Sequence, residues 1–182
     1  SGESHNTTYA IFVIEKHQLK LLVGGLQSFK EASLTNSINY ETNLHIFEEI
    51  LVDEKLSKKT GFPLNSLVYY ICRSRKIEGE NSILDINYFL KSVIPGLNEE
   101  ISKNSIYEYI ENVLSLKIAG AQKVISVENA SKLDKKYLNL INYDLVAIIK
   151  NFVYLEDGTL FEYTESRHRP DKFTFSTYAK RL

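Results

Sequence analysis

Two stretches of this chain follow one pattern, and that repetition constrains the fold more than any other feature. Leu67 to Ile77 is rich in β-branched and aromatic residues, Glu78-Gly79-Glu80-Asn81 is a turn signal, and Ser82 to Phe89 is β-rich again. Asp144 to Leu155, Asp157-Gly158 and Thr159 to His168 repeat the order, the Asp-Gly pair predicting a type I′ hairpin turn. Each hairpin follows a short strand and a helix: Leu44 to Val52 with Glu54 to Lys59, then Ala121 to Val127 with Ser131 to Leu138. Laying Leu67-Val68 on Leu145-Val146 aligns the first long strands, and shortening the second turn by one residue places Asp85 on Glu162. The expected class is α+β, an antiparallel sheet with flanking helices built from two pseudo-repeated strand–helix–hairpin halves. Two unrelated hairpins would look alike at this level, so the duplication stands as an expectation. Between the halves Pro95-Gly96 breaks the chain, and Ser105 to Ile110 opens a helix with Ser105 and Glu108 in capping-box spacing. Residues 1–10 read as a linker remnant and 11–182 as one domain. In it, Thr8 to Ile14 and Gln18 to Val23 are extended, and Gly24 to Glu31 is a loop.

Composition removes several function classes. The chain has 182 residues, 43% hydrophobic and 25% charged, enough to bury roughly 70% of its unfolded surface without staples. One cysteine, Cys72, and four histidines give no disulfide framework and no zinc finger. No apolar run approaches the roughly 18 residues that span a bilayer, so no membrane partner is expected and the expected location is cytoplasmic. With 22 Lys+Arg against 23 Asp+Glu, no basic field exists to hold a duplex. Glycine-rich phosphate loops, HExxH pairs, nucleophile elbows and a basic recognition helix are all missing. No metal and no cofactor are expected.

The residues that can carry chemistry cluster in the hairpins. Arg73 and Arg75 share one strand face with Tyr69 and Ile71, so two guanidinium groups emerge from an apolar stripe. They suit a phosphate or carboxylate, or else form a solvated edge-strand pair. If Ile77 to Asn81 is a five-residue connection, Arg73 falls opposite Asp85. That pair is either structural, worth roughly 0.2–1 kcal/mol, or part of a ligand site. Ser105 can cap its helix, worth about 1 kcal/mol, or present the helix N-terminus to a phosphate. Tyr107, on the first turn, either reaches the same anion or packs. Glu162, Thr164, Ser166 and His168 share one strand face, with Phe161 and Tyr163 on the other; the polar set suits a polyhydroxylated ligand or plain solvent. Arg167, Arg169 and Asp171 form a candidate salt-bridge cluster fixing the chain end.

Six segments in order resemble a known family. They are Gly25–Glu31, Cys72-Arg73-Ser74-Arg75, Leu84–Tyr88, Asn104–Glu111, Asp157–Tyr163 and Arg167–Phe175. Together they resemble the UTRA effector-binding domain of HutC-type GntR transcription regulators. The resemblance implies a chorismate-lyase-like fold without the enzyme role, serving as a ligand-binding and dimerising module. Operator DNA would be bound by an N-terminal winged helix–turn–helix outside this chain. It further implies that Arg73, Arg75, Ser105 and Tyr107, with the amides of Ser28 and Phe29, surround a phosphate. Asp85, Glu162 and His168 would line the sugar side. Asp85 stands where the family more often has Glu, and His168 where some members have Tyr.

Tyr163 to Phe173 is similar to the ending of trehalose-operon repressors, whose inducer is trehalose 6-phosphate. The expected function is therefore a sugar-phosphate sensor in a homodimeric repressor. A sensor of another small anion and a lyase-like enzyme, with the arginines holding a carboxylate, are the alternatives.

Overall fold

A computed structural model describes residues 39–175 and Arg181. The stretches Thr8 to Ile14, Gln18 to Val23 and Gly24 to Glu31, expected to be two extended segments and a loop, lie outside the described residues, and with them Ser28 and Phe29.

Six antiparallel strands form one sheet in the order β1-β2-β3-β6-β5-β4. They are β1 (Tyr40–Leu51), β2 (Leu67–Ile77), β3 (Glu80–Leu90), β4 (Ile118–Asn129), β5 (Leu145–Leu155) and β6 (Leu160–His168). Helix α1 (Glu54–Thr60) joins β1 to β2, and α4 (Lys132–Tyr137) joins β4 to β5. The palindromic order is that of two strand–helix–hairpin halves, joined where β3 pairs with β6. Between the halves lie α2 (Glu99–Ser102) and α3 (Ile106–Glu108), the latter widening into a π-helical turn over Tyr109–Val113.

The turns differ from expectation. The I′ geometry belongs to the first hairpin, where Glu78 and Gly79 both have positive φ and Ile77 pairs with Glu80. In the second, Gly158 alone is left-handed (φ +87°) and its N–H bonds the carbonyl of Leu155, so Asp157 is not part of a I′ turn. Each hairpin also carries a one-residue irregularity. Arg75 pairs with Ile83 and Lys76 with Asn81, leaving Ser82 extra; Val153 pairs with Glu162 and Tyr154 with Leu160, leaving Phe161 extra. Arg73 thus does lie opposite Asp85, through a two-residue turn plus a bulge rather than a five-residue connection. The hairpin registers set Arg73 against Asp85 and Asn151 against Thr164, so the equivalent of Asp85 is Thr164, not Glu162. The second connection is effectively longer, not shorter. The Phe161 bulge also turns that ring to the Glu162 side, where it packs with Tyr69 and Ile71 rather than with Tyr163.

Both sheet faces are covered. On one, Tyr69, Ile71, Phe89, Val153 and Phe161 meet Ile94 and Leu97 ahead of α2, Ile106 of α3 and Ile110 of the π-helical turn. On the other, Cys72, Leu84, Ile86, Val146 and Ile148 pack with Leu138 and Leu140 beyond α4. Beside them Val52, Phe62, Val68 and Tyr163 close over α1. The second face also buries charge. Arg167 donates to Asp134 through Nε and Nη2, both at 2.8 Å, and to Glu165 through Nη1 at 2.7 Å. Glu165 is further bound by Lys59 at 2.8 Å and by the Tyr163 hydroxyl at 2.9 Å. Arg167 therefore does not join the chain-end cluster; Arg169 and Asp171 do pair there, at 2.6 and 2.8 Å, with Glu80 at 2.8 Å.

Asp134 also completes the capping box of α4, accepting from the N–H of Ser131 at 2.7 Å while its own N–H bonds Ser131 Oγ. Removing one partner of a buried pair leaves an uncompensated charge, which costs far more than a lost cap. Asp134→Ala is expected to lower unfolding free energy by about 3–5 kcal/mol. Ser131→Ala should lower it by about 1 kcal/mol. Urea denaturation of the two variants checks the contrast.

Candidate functional site

Strand parity assembles the site. Arg73 and Arg75 continue the face on which Tyr69 and Ile71 enter the core, so that face is apolar at one end and charged at the other. Pairing of β3 with β2 adds Asp85 and Asn87 to the face, and pairing of β6 with β3 adds Glu162, Thr164, Ser166 and His168. All eight of these but Ser166 are buried.

The hydrogen bonds divide the two arginines. Arg75 donates from Nε to Asp85 Oδ2 at 2.8 Å and from Nη1 to Thr42 Oγ1 at 2.7 Å. The ion pair is diagonal: Arg75, not the directly opposed Arg73, holds Asp85. The other oxygen of Asp85 accepts from Ser166 at 2.9 Å, and Ser166 meets His168 Nε2 at 3.2 Å. Arg73 instead reaches the carbonyl of Ser102, at the end of α2, at 3.1 Å and Asn87 Oδ1 at 3.0 Å. Its Nε is buried with no hydrogen-bond partner among the described residues. A buried donor in that state forfeits roughly 1–3 kcal/mol unless something else accepts from it.

Asn87 passes the chain of contacts on, donating to Glu162 at 3.4 Å, and the Tyr107 hydroxyl donates to the other Glu162 oxygen at 2.8 Å. Ser105 caps α3, accepting from the N–H of Glu108 at 3.3 Å. It lies three residues beyond the carbonyl that Arg73 grips. Seven of the expected residues are thus located: five share one sheet face, Tyr107 is bonded to it, and Ser105 caps the adjoining helix. Asn87 and Thr42 were missed. Asn87 has the parity of Asp85 and could have been found; Thr42 needed the β1 register.

Burial and charge set the ionisation. Desolvation beside Phe89 and Val153 pushes Glu162 up from 4.5 to about 7, against the Tyr107 bond and Arg73. Desolvation pulls His168 from 6.5 down to about 4, with Asp85 opposing. Burial raises Asp85, but Arg75 and Arg73 outweigh it and hold the carboxyl below its ordinary range. Arg73, desolvated and next to Arg75, falls to about 9 and is still a cation at neutral pH. The face therefore offers a fixed positive end and, beside it, hydrogen-bonding groups close to neutrality.

These shifts have opposite signs in folding. Glu162 holds its proton more tightly in the fold, so its contribution is full below pH 4.5 and is lost as pH rises to about 7. His168 is held neutral, so its contribution is lost as pH falls from 6.5 to about 4. Between pH 4.5 and 6.5 the two slopes cancel. Glu162→Gln is expected to gain stability relative to the wild type as pH rises from 4.5 to 7, by on the order of 3 kcal/mol. Urea midpoints measured across that range for both proteins test it; parallel profiles would refute the assignment.

Residues 36–174 match the UTRA domain family. The chain is 43% identical over 169 residues to the HTH-type transcriptional regulator TreR of Bacillus subtilis, covering 93% of this chain and 71% of that protein. It is 34% identical over 131 residues to the regulator GmuR of the same organism, covering 72% of this chain and 55% of GmuR. The solved effector-binding domain of the B. subtilis trehalose repressor superposes with a TM-score of 0.70 at 44% identity, over 78% of this chain and 99% of that one. Both relatives are transcriptional regulators. A family match across most of its length, joined to that shared fold, makes the chain a member of the UTRA family, the effector-binding domain of a transcriptional regulator.

Proposed function

We propose that the effector is a phosphorylated sugar, with trehalose 6-phosphate the candidate. The observation that carries the reading is the buried Arg73 Nε, a cationic donor left without an acceptor among the described residues, beside a second arginine. A phosphate supplies that acceptor in charge-assisted form. Arg75, Ser105, Tyr107 and the amides of Ser28 and Phe29 complete the cradle in this reading. Asp85, Glu162 and His168 read hydroxyls: Asp85 as an ionised acceptor, Glu162 as donor or acceptor around neutrality, His168 as a neutral imidazole. The sugar is suggested by 43% identity to a protein whose solved effector domain is that of a trehalose repressor.

In the parent protein, a cytoplasmic homodimer in this proposal, the effector acts by binding one dimer arrangement better than another. That difference in affinity alters operator binding by the winged helix–turn–helix heads. Arg73 links occupancy to the rest of the domain, because the same guanidinium holds the end of α2.

Calorimetry with trehalose 6-phosphate, trehalose and inorganic phosphate tests the reading. The expected result is micromolar binding of the phosphorylated sugar, about −8 kcal/mol, and far weaker binding of either part alone. Arg73→Ala should lose at least tenfold in affinity while remaining folded by circular dichroism, with Arg73→Lys as the control for charge without the fork. Binding of a different sugar phosphate keeps the anion site and changes the sugar. Silence across a panel of phosphorylated sugars overturns the proposal.

A further inference from the structure

The polar side chains of the site face do not stop at β6. Across the sheet Asn87 pairs with Thr164, Thr164 with Asn151, and Asn151 with Lys123 on the edge strand β4. We propose that Lys123, Asn151 and Thr164 form a distal subsite that holds the second ring of a phosphorylated disaccharide; this rests on the sugar-phosphate reading above and names its substrate class.

Lys123 is the unusual member. Its Nζ donates to Asn151 Oδ1 at 2.8 Å, and it forms no ion pair among the described residues. An edge-strand lysine that guards against aggregation keeps its ammonium in water. This one turns inward to a nearly buried amide, which costs solvation and lowers its proton affinity, with Glu162 the charge that opposes the loss. Two of its three N–H groups have no acceptor among the described residues. Asn151 and Thr164 are each only 9% exposed, yet among the described residues the Asn151 amide N–H₂ and the Thr164 hydroxyl have no hydrogen-bond partner. Three neighbouring groups with spare hydrogen-bonding capacity, set in one row with the Asn87 that Arg73 reaches, suit a ligand rich in hydroxyls.

The spacing selects the ligand's size. Arg73 reaches inward to Asn87 on β3, and Lys123 reaches inward to Asn151 on β5. With β6 between them, those two amides stand two strand spacings apart, roughly 10 Å. That gap is wider than one sugar ring and is bridged by two linked rings.

The test compares trehalose 6-phosphate with glucose 6-phosphate by calorimetry on the wild type, Lys123→Met and Asn151→Ala. The wild type is expected to bind the disaccharide phosphate more tightly. Both variants should weaken it tenfold or more and leave glucose 6-phosphate within twofold, with melting temperatures unchanged or raised. Asn151→Ala keeps the proposal testable if Lys123→Met aggregates through its neutralised edge. Equal weakening of both sugars, or of neither, overturns the distal subsite alone. A wild type that binds no sugar phosphate overturns the underlying reading and the subsite with it.

Discussion

The ladder between β3 and β6 is the constraint on which the rest depends. Neither hairpin holds the site by itself: one carries the arginines, Asp85 and Asn87, the other Glu162, Thr164, Ser166 and His168. Their antiparallel pairing sets Asp85 against Ser166 and Asn87 against Thr164, and so turns two half-sets into one surface. Because side chains alternate along a strand, this pairing works in only one register parity. The same pairing gives the other face its continuous floor, on which Leu84 and Ile86 meet Val146 and Ile148 across the join.

The two faces treat buried charge differently, and the difference separates support from function. Arg167 spends its guanidinium on Asp134 and Glu165, and Glu165 is matched again by Lys59 and Tyr163. Such a closed network holds α1 and α4 to the sheet and has nothing left to offer a guest. On the opposite face, among the described residues, Arg73 keeps a donor unused, Glu162 carries a desolvated carboxyl between Phe89 and Val153, and Lys123 meets an amide instead of an ion-pair partner. Each of those states costs free energy. Gathered on one sheet face, they are the states that the proposed effector would relieve.

Much of this was legible in the sequence. The β-rich runs on either side of Glu78–Asn81 and of Asp157-Gly158 announced the hairpins, and the strand period of two put Arg73 with Arg75 and Glu162 with His168. The Ser131 helix and the Leu67–Ile77 strand came through because local propensity and tertiary packing agree there. What failed were details set by backbone irregularity. The bulges at Ser82 and Phe161 carry no composition signal, so the turn types and the Asp85–Glu162 equivalence were misjudged. Lys123 and Asn151 were invisible because their place depends on the β4–β5 register, far from any motif. The choice of Arg75 over Arg73 as the partner of Asp85 is a matter of rotamers, which no pattern of residue types encodes.

The single extra residues in the two hairpins have a consequence for how such a domain can vary. After Glu78-Gly79, Ser82 is what returns Ile83 and Asp85 to the face of Arg73 and Arg75, and Phe161 does the same for Glu162. The surplus backbone at Ser82 is tied down, its carbonyl accepting from Arg169 and that of Asn81 from Asn139. Side-chain direction along these strands is therefore kept like a reading frame, and the two bulges are its phase marks. Lineages sharing this architecture can exchange residues along the polar row and so change the molecule they sense. A one-residue insertion or deletion in β3 after Ser82, or in β6 after Phe161, would turn every later side chain of that strand to the other face, so diversification has to proceed by replacement there and by length only in the tips.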